Sequence, residues 1–253
     1  MTPLSTPTPT QEYQPPRLAT VAEWREARLA LLAREKEHMR AHDALSAARR
    51  ALPVVEVEKA YEFDGPDGRV DLAGLFDGRR QLIVQHFMFF RETGEGCPGC
   101  SFMADSIPHL SHLHARDTTL VMVSRAPLPE IEPFRTRMGW TTPWYSSFGS
   151  DFNYDFHVTI DESVRPVEYN YMDKERLEAR GLSYHTKGEQ PGISVFLRDG
   201  SRVFHSYSTY GRGPDFLLNA HNFLDLTPFG RGEGKHGMPN LNVPLRHRDR
   251  YDA

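Results

Sequence analysis

The chain has 253 residues, with 30 Lys and Arg against 34 Asp and Glu, a formal net charge of −4 and 25% charged residues. That length suits one large domain with extensions, and the near-balanced charge gives no global basic field for a sequence-independent grip on nucleic acid. Only two cysteines occur, Cys97 and Cys100, and so close a pair cannot staple a chain of this size, which excludes a disulfide scaffold.

The opening segment, Met1 to Pro16, is rich in Thr and Pro and has neither a basic start nor an apolar run. It reads as a flexible arm over residues 1–17 and not as a secretory signal, so the chain is expected to begin here and stay in a reducing compartment, the cytoplasm. No stretch reaches the ~20 apolar residues needed to cross a bilayer. The longest, Leu82 to Phe90, is interrupted by Gln85 and His86, so no membrane partner is expected.

Thr20-Val21-Ala22-Glu23 has the pattern of a capping box and predicts a helix running to Arg50, before Leu52-Pro53. Trp24, Ala27 and Leu31 share a face that Leu45 and Ala48 resume. This helix, in an extension over residues 18–53, is expected to be partly buried, as a brace or as the contact of a homodimer. Val55, Val57, Tyr61 and Phe63 alternate as one half-buried strand, ended by the turn cluster Asp64 to Gly68. Gln81 to Phe90 suits a central strand buried on both faces. After Cys97-Pro98-Gly99-Cys100 comes a helical pattern with Phe102, Met103, Ile107 and Leu110 turned inward and a kink expected at Pro108.

Thr119 to Ser124 predicts a second buried strand, and Leu128 to Met138, closed by Gly139, a second helix. An irregular aromatic section and a polar insert near residues 164–189 follow. Ile193 to Leu197 and Val203 to Tyr210, joined at Asp199-Gly200, read as an antiparallel hairpin, with a last helix from about Pro214 to Leu224. The order is β-α-β, a connection, then β-β-α, with a right-handed crossover pairing the first two strands in parallel. The domain is expected over residues 54–229, and residues 230–253 read as a loose tail.

In that order the cysteines fall where the first core strand hands over to its helix. A helix N-terminus presents unpaired N–H groups and partial positive charge, which favour thiolate over thiol. Pro98 at the first helical position loses only an N–H that would be orphaned anyway. Cys97 is then the exposed nucleophile, and Cys100 lies beneath it to resolve a mixed disulfide. The expected partners are a disulfide-containing substrate, protein or small molecule, and an external thiol reductant. No metal or other cofactor is called for.

The sequence resembles a bacterial family of unassigned function, placed in the thioredoxin-like superfamily and predicted to be dithiol-disulfide oxidoreductases. The residues that carry the resemblance are His86-Phe87-Met88-Phe89, Gly96 to Phe102, Ser124 to Leu128, Met138-Gly139-Trp140, Ser146 to Phe156, Phe204 to Tyr210 and Leu224 to Pro228, with the helix containing Glu23-Trp24. The resemblance implies an α/β, thioredoxin-like three-layer sandwich, here with a long N-terminal helix and an added N-terminal strand. It brings no substrate. Thioredoxin has Gly-Pro between its cysteines where this chain has Pro98-Gly99, which leaves the direction of exchange open. Thioredoxins also place a cis-proline before the third core strand, and Pro191 is the candidate by position.

Other residues invite sharper readings. Asp151, Asn153, Asp155 and Glu162 match positions of a calcium loop, but Phe156 replaces the glycine that its turn needs, so aromatic packing with turn-forming acids is favoured. His109, His112 and His114 are too closely spaced for zinc and fit a solvated helix face. His86 and His205 sit on core strands as satisfied histidines, or as tuners of Cys97 if they point to the cleft. Arg125 follows the second strand at a C-terminal strand end, where α/β sheets present ligands, and equally fits a surface arginine. Two rival functions remain: a peroxiredoxin-like thiol peroxidase, which wants a Thr where this chain has Gly94 and offers Thr93 one position too far, and a non-catalytic redox-sensing interaction protein.

Overall fold

A computed structural model describes residues 17–231 and 245–251. They form two compact units, residues 17–52 with 220–231 and residues 53–219 with 245–251.

In the first unit, helix α1 (Val21–Arg50) begins at the expected capping box. Thr20 Oγ1 accepts from the Glu23 N–H at 3.3 Å, and Glu23 Oε2 accepts from the Thr20 N–H at 2.7 Å. The expected buried stripe is absent: none of its residues is buried, and Trp24 is 62% exposed. Charged side chains interrupt the apolar spacing, as where Arg28 pairs with Glu35 at 2.8 Å. The last expected helix breaks in two, a 3-10 turn over Asp215–Leu217 and a short helix over Asn219–Leu224. No helix among the described residues is long and apolar enough to cross a membrane.

The second unit is built on an eight-stranded sheet. In chain order its strands are β1 (Val55–Glu56), β2 (Glu62–Gly65), β3 (Gly68–Asp71), β4 (Gln81–His86), β5 (Thr118–Ser124), β6 (Trp144–Ser146), β7 (Gly192–Asp199) and β8 (Arg202–Tyr210), and in space β1-β8-β7-β4-β5-β6-β2-β3. The β4–β5 pair is parallel, from Gln81 opposite Thr118 to His86 opposite Val123. The β7–β8 hairpin joins antiparallel on the other side of β4, with Gly192 opposite His86. Helices α2 (Pro98–Ala104) and α4 (Leu128–Arg137), with the single turn α3 (Ser111–His114) between them, connect the parallel strands β4, β5 and β6. This is the thioredoxin-like order, β-α-β followed by a β-β hairpin.

Alternation along the central strands sets the layers. Leu82, Val84, Val121 and Val123 pack with Phe152, Phe156 and Phe196 on one face. Phe87 and Met122 pack with Cys100, Ile131, Phe134, Trp140 and Trp144 on the other. Two expectations need correction. The strand expected over Val55 to Phe63 is split, because β1 pairs with β8 at one edge while β2 pairs with β3 and β6 at the other. Lys59 anchors the crossing through Asp151 at 2.8 Å and Asp155 at 2.7 Å. The helix after the cysteines stops at Ala104 and does not bend through Pro108: proline lacks the N–H that the next turn needs, and the chain resumes as a separate turn at Ser111.

The polar insert folds as well. A hairpin of Glu168–Tyr169 with Met172–Asp173 and a helix over Lys174–Ala179 bury Val167, Tyr169, Met172 and Leu177 against Val158, Ile160 and Tyr210.

Candidate active site

Cys97 is the N-cap of α2 and Pro98 occupies its first turn, as the sequence predicts. Both cysteines are free; Cys97 is half-buried, and Cys100 is only 4% exposed. The loop before them is pinned sterically: a side chain at Gly96 would meet the ring of Phe87 at 2.5 Å and that of Phe134 at 2.7 Å. Met88 holds both cysteines through its backbone, its carbonyl accepting from the Cys97 N–H at 2.9 Å and its N–H donating to Cys100 Sγ at 3.4 Å. Buried Gln85 Nε2 donates to the Cys100 carbonyl at 3.0 Å, and Ser101 Oγ donates to the Cys97 carbonyl at 2.9 Å.

These contacts separate the two thiols electrostatically. Cys97 is drawn down from 9.0 to about 6, because the Cys100 thiol and the backbone N–H groups of Cys100 and Gly99 hydrogen-bond its sulfur and outweigh its burial. Cys100 is pushed well above 9.0 by the same hydrogen bond and by complete burial. One thiolate lies at the surface with a protonated thiol beneath it.

His247 was beyond sequence reasoning, which placed residues 245–251 in a loose tail. Instead the segment packs against the cysteine loop. His247, 4% exposed, donates from Nε2 to the Gly96 carbonyl at 2.8 Å and stands edge-on to Phe134 at 5.2 Å. Since a carbonyl only accepts, the proton sits on Nε2, and Nδ1 faces Arg137 Nη2 at 3.4 Å. Arg137 is itself tied to Glu95 at 2.6 Å and Asp249 at 2.7 Å, and Arg248 bonds Asp105 and the Met138 carbonyl. No local signal ties His247 to Cys97, because the contact joins the far end of the chain to the cysteine loop.

A cleft of about 500 Å³ adjoins the pair through Met88 and is lined also by Phe89, Phe90, Arg125, Tyr184, Lys187 and Glu189, the cysteines themselves not being part of its lining. Tyr184 has its phenol raised by burial and by the nearby Cys97 and Cys100 charge. Arg125 is half-buried over the ring of Tyr154, 4.6 Å from its centroid. Phe148 also lines the cleft, whereas Phe152 and Phe156 lie in the core. Pro191 leads into β7, its carbonyl accepting from Tyr169 Oη at 2.8 Å. There is no cis peptide bond among the described residues, which corrects the cis-proline expectation: the chain enters β7 from the Gly188–Glu189 pairing with Thr159–Ile160, with Pro191 trans.

The remaining candidates lie elsewhere. Asp151 and Asp155 are held by Lys59, and Asp155 also by Tyr61 and Arg165. Among the described residues no group of His, Cys, Asp and Glu is placed to hold a metal ion. His86 bonds Ser194 Oγ at 2.8 Å, Ser194 bonds Ser208 at 2.8 Å, and Ser208 bonds His205 at 2.7 Å, all across the sheet and away from the thiols.

Comparison with solved structures gives low similarity. A mutant of Xylella fastidiosa PrxQ reaches a TM-score of 0.40 at 12% identity, covering 64% of this chain and 88% of that one. Xanthomonas campestris Peroxiredoxin Q reaches 0.39 at 12% identity, over 66% and 96%. An uncharacterized thioredoxin-like protein from Porphyromonas gingivalis reaches 0.36 at 15% identity, over 68% and 92%. Likenesses at these scores carry no argument about activity. No curated protein matches the chain. Residues 13–251 match the family of bacterial proteins of unknown function DUF899, and the chain therefore belongs to that family.

Proposed function

We propose that the protein is a dithiol-disulfide oxidoreductase of a reducing compartment, the cytoplasm, working through Cys97 and Cys100. One observation carries the reading: two free cysteines at a helix N-terminus with opposite displacements, Cys97 down to about 6 and Cys100 well above 9.0. The Cys97 thiolate attacks one sulfur of a substrate disulfide, the S–S bond breaks, and the first substrate thiolate leaves with a proton from solvent. Cys100 then loses its proton and attacks Cys97 Sγ, releasing the second substrate thiol and forming the Cys97–Cys100 disulfide. Two electrons pass to the substrate, and an external thiol reductant returns them.

The thiol peroxidase reading is weaker. The Thr93 hydroxyl, the nearest candidate to orient a peroxide, is spent on the Phe90 carbonyl at 3.2 Å. A disulfide reduction assay on the purified protein decides: Cys97→Ser abolishes turnover, and unchanged activity in that variant would sink the proposal. Peroxide consumption that tracked Cys97 would move the reading to the peroxidase, and redox-dependent partner binding without turnover would move it to a sensor. The reduction potential of the pair sets the direction of exchange. Exposed Trp24, Leu31 and Leu45 on α1 support a homodimer through that helix, which a sizing measurement tests.

A further inference from the structure

Two cations that line the cleft, Arg125 and Lys187, make no ion pair among the described residues. Four charged side chains besides Arg125 line it. Arg91 is committed to Glu130 by two hydrogen bonds, at 2.7 and 2.6 Å. Both oxygens of Glu189 accept from the Thr159 hydroxyl, at 2.8 and 2.9 Å, and burial pushes this carboxyl up against the pull of the nearby Arg125 charge, which lies beyond ion-pair distance. Glu92 is exposed at the rim. Lys187 is exposed and in no salt bridge among the described residues.

Arg125 is the unusual member. Its guanidinium is held by stacking on Tyr154, no carboxylate lies within ion-pair distance among the described residues, and its Nε is buried without an acceptor. A half-buried guanidinium without a carboxylate is a costly group, and an anion in the cleft relieves it. Its planar fork suits a carboxylate. Met88, which lines the cleft, bonds both cysteines through its backbone and so ties the cleft to the pair. A cleft of about 500 Å³ is of small-molecule size.

Resting on the redox reading above, we infer that this cleft selects small disulfides bearing carboxylates, with Arg125 as the principal anchor and Lys187 assisting at the rim. The anchored disulfide takes two electrons from Cys97 and Cys100, its S–S bond is replaced by two thiols, and the resulting protein disulfide is reduced by an external thiol. The anchor acts on binding and orientation and takes no part in the electron transfer.

The test compares three disulfides of similar length with the full chain under one thiol reductant: dithiodipropionate with two carboxylates, bis(hydroxyethyl) disulfide with none, and cystamine with two ammonium groups. The ratio of kcat/KM for the dianion over the neutral compound is expected to fall roughly tenfold in Arg125→Gln, which is about 1.4 kcal/mol. It should fall severalfold in Lys187→Gln, and rising ionic strength should lower it in the parent. Lys187 is exposed, so its variant keeps the test sound if Arg125→Gln fails to fold. A parent that reduces all three without charge preference overturns this inference and leaves the redox reading standing. A parent that reduces none of them overturns both.

Discussion

Two groups of perturbed side chains lie at the C-terminal end of β4, on opposite faces of the sheet. On the α2 face, Gln85 reaches the carbonyl of Cys100, and the thiols gather donors. On the other face, His86 is 1% exposed, bonds only Ser194, and has an Nδ1 without a partner. Burial drives His86 down to about 3, with the neighbouring His205 adding to it. The shift of Cys97 has the opposite character: donors favour its charged form and outweigh burial. A displaced pKa is therefore not by itself the mark of a reactive site: a partner must also be able to reach the group. The His86 chain is a sealed packing solution, whereas the cysteine pair has a half-buried thiol and adjoins a cleft through Met88.

The strongest way to break this contrast is to delete sulfur atoms. Cys97→Ser is expected to reduce disulfide turnover to the uncatalysed rate. Cys100→Ser should leave the first attack and stall after it, so that mass spectrometry finds one substrate moiety attached to Cys97. A Cys100→Ser protein that turned over normally would mean that an outside thiol resolves Cys97.

Replacing His86 should act on stability alone. Because its folded pKa lies below the ordinary 6.5, the unfolded chain binds a proton that the folded chain refuses. The stabilisation is fully present above pH 6.5 and is lost as pH falls through the window down to about 3, at about 1.4 kcal/mol per pH unit. In His86→Leu the unpartnered Nδ1 disappears and Ser194 keeps its bond to Ser208, so stability at neutral pH should move by less than ~1 kcal/mol. Denaturant melts of both proteins across that range measure the difference. An unchanged acid slope in His86→Leu would remove His86 from this account.

The contrast between the faces was only half legible in the sequence. Strand β4 and the cysteine junction could be read because their signals are local: an apolar run, then Pro98 at the first position of α2. Pro108 was visible, but whether a proline bends or ends a helix depends on what the next turn packs against. The alternation of Val55 to Phe63 holds only for Tyr61 and Phe63, which are buried, while Val55 is 67% exposed at the other edge, since a period of two records which face a residue takes and not which neighbour it pairs with. His247 carried no signal at all, as its role depends on the chain returning to Phe134 and Gly96.

The pH profile of thiol reactivity sharpens the cysteine side. Alkylation of Cys97 by iodoacetamide should rise through a midpoint near 6 and level off above it, because the thiolate is the nucleophile. Cys100 should stay unreactive until the fold is lost. A midpoint in the ordinary thiol range near 9.0 would show that the donors at the α2 N-terminus do not hold the thiolate.

The smallest effect is expected from His247, which acts on Cys97 through Gly96. It is a positioning residue, so its signature lies in the alkylation midpoint and not in loss of turnover. His247→Leu removes the donor to the Gly96 carbonyl and loosens the loop that holds Cys97, and should raise the midpoint by roughly half a pH unit, with about 1 kcal/mol of stability lost with the hydrogen bond. His247→Gln keeps an amide donor, and should recover both the stability and the midpoint. If both variants kept the parent midpoint, the residue would serve only to dock the segment 245–251. In that case the donors of Gly99 and Cys100 would account for the thiolate without help from the far end of the chain.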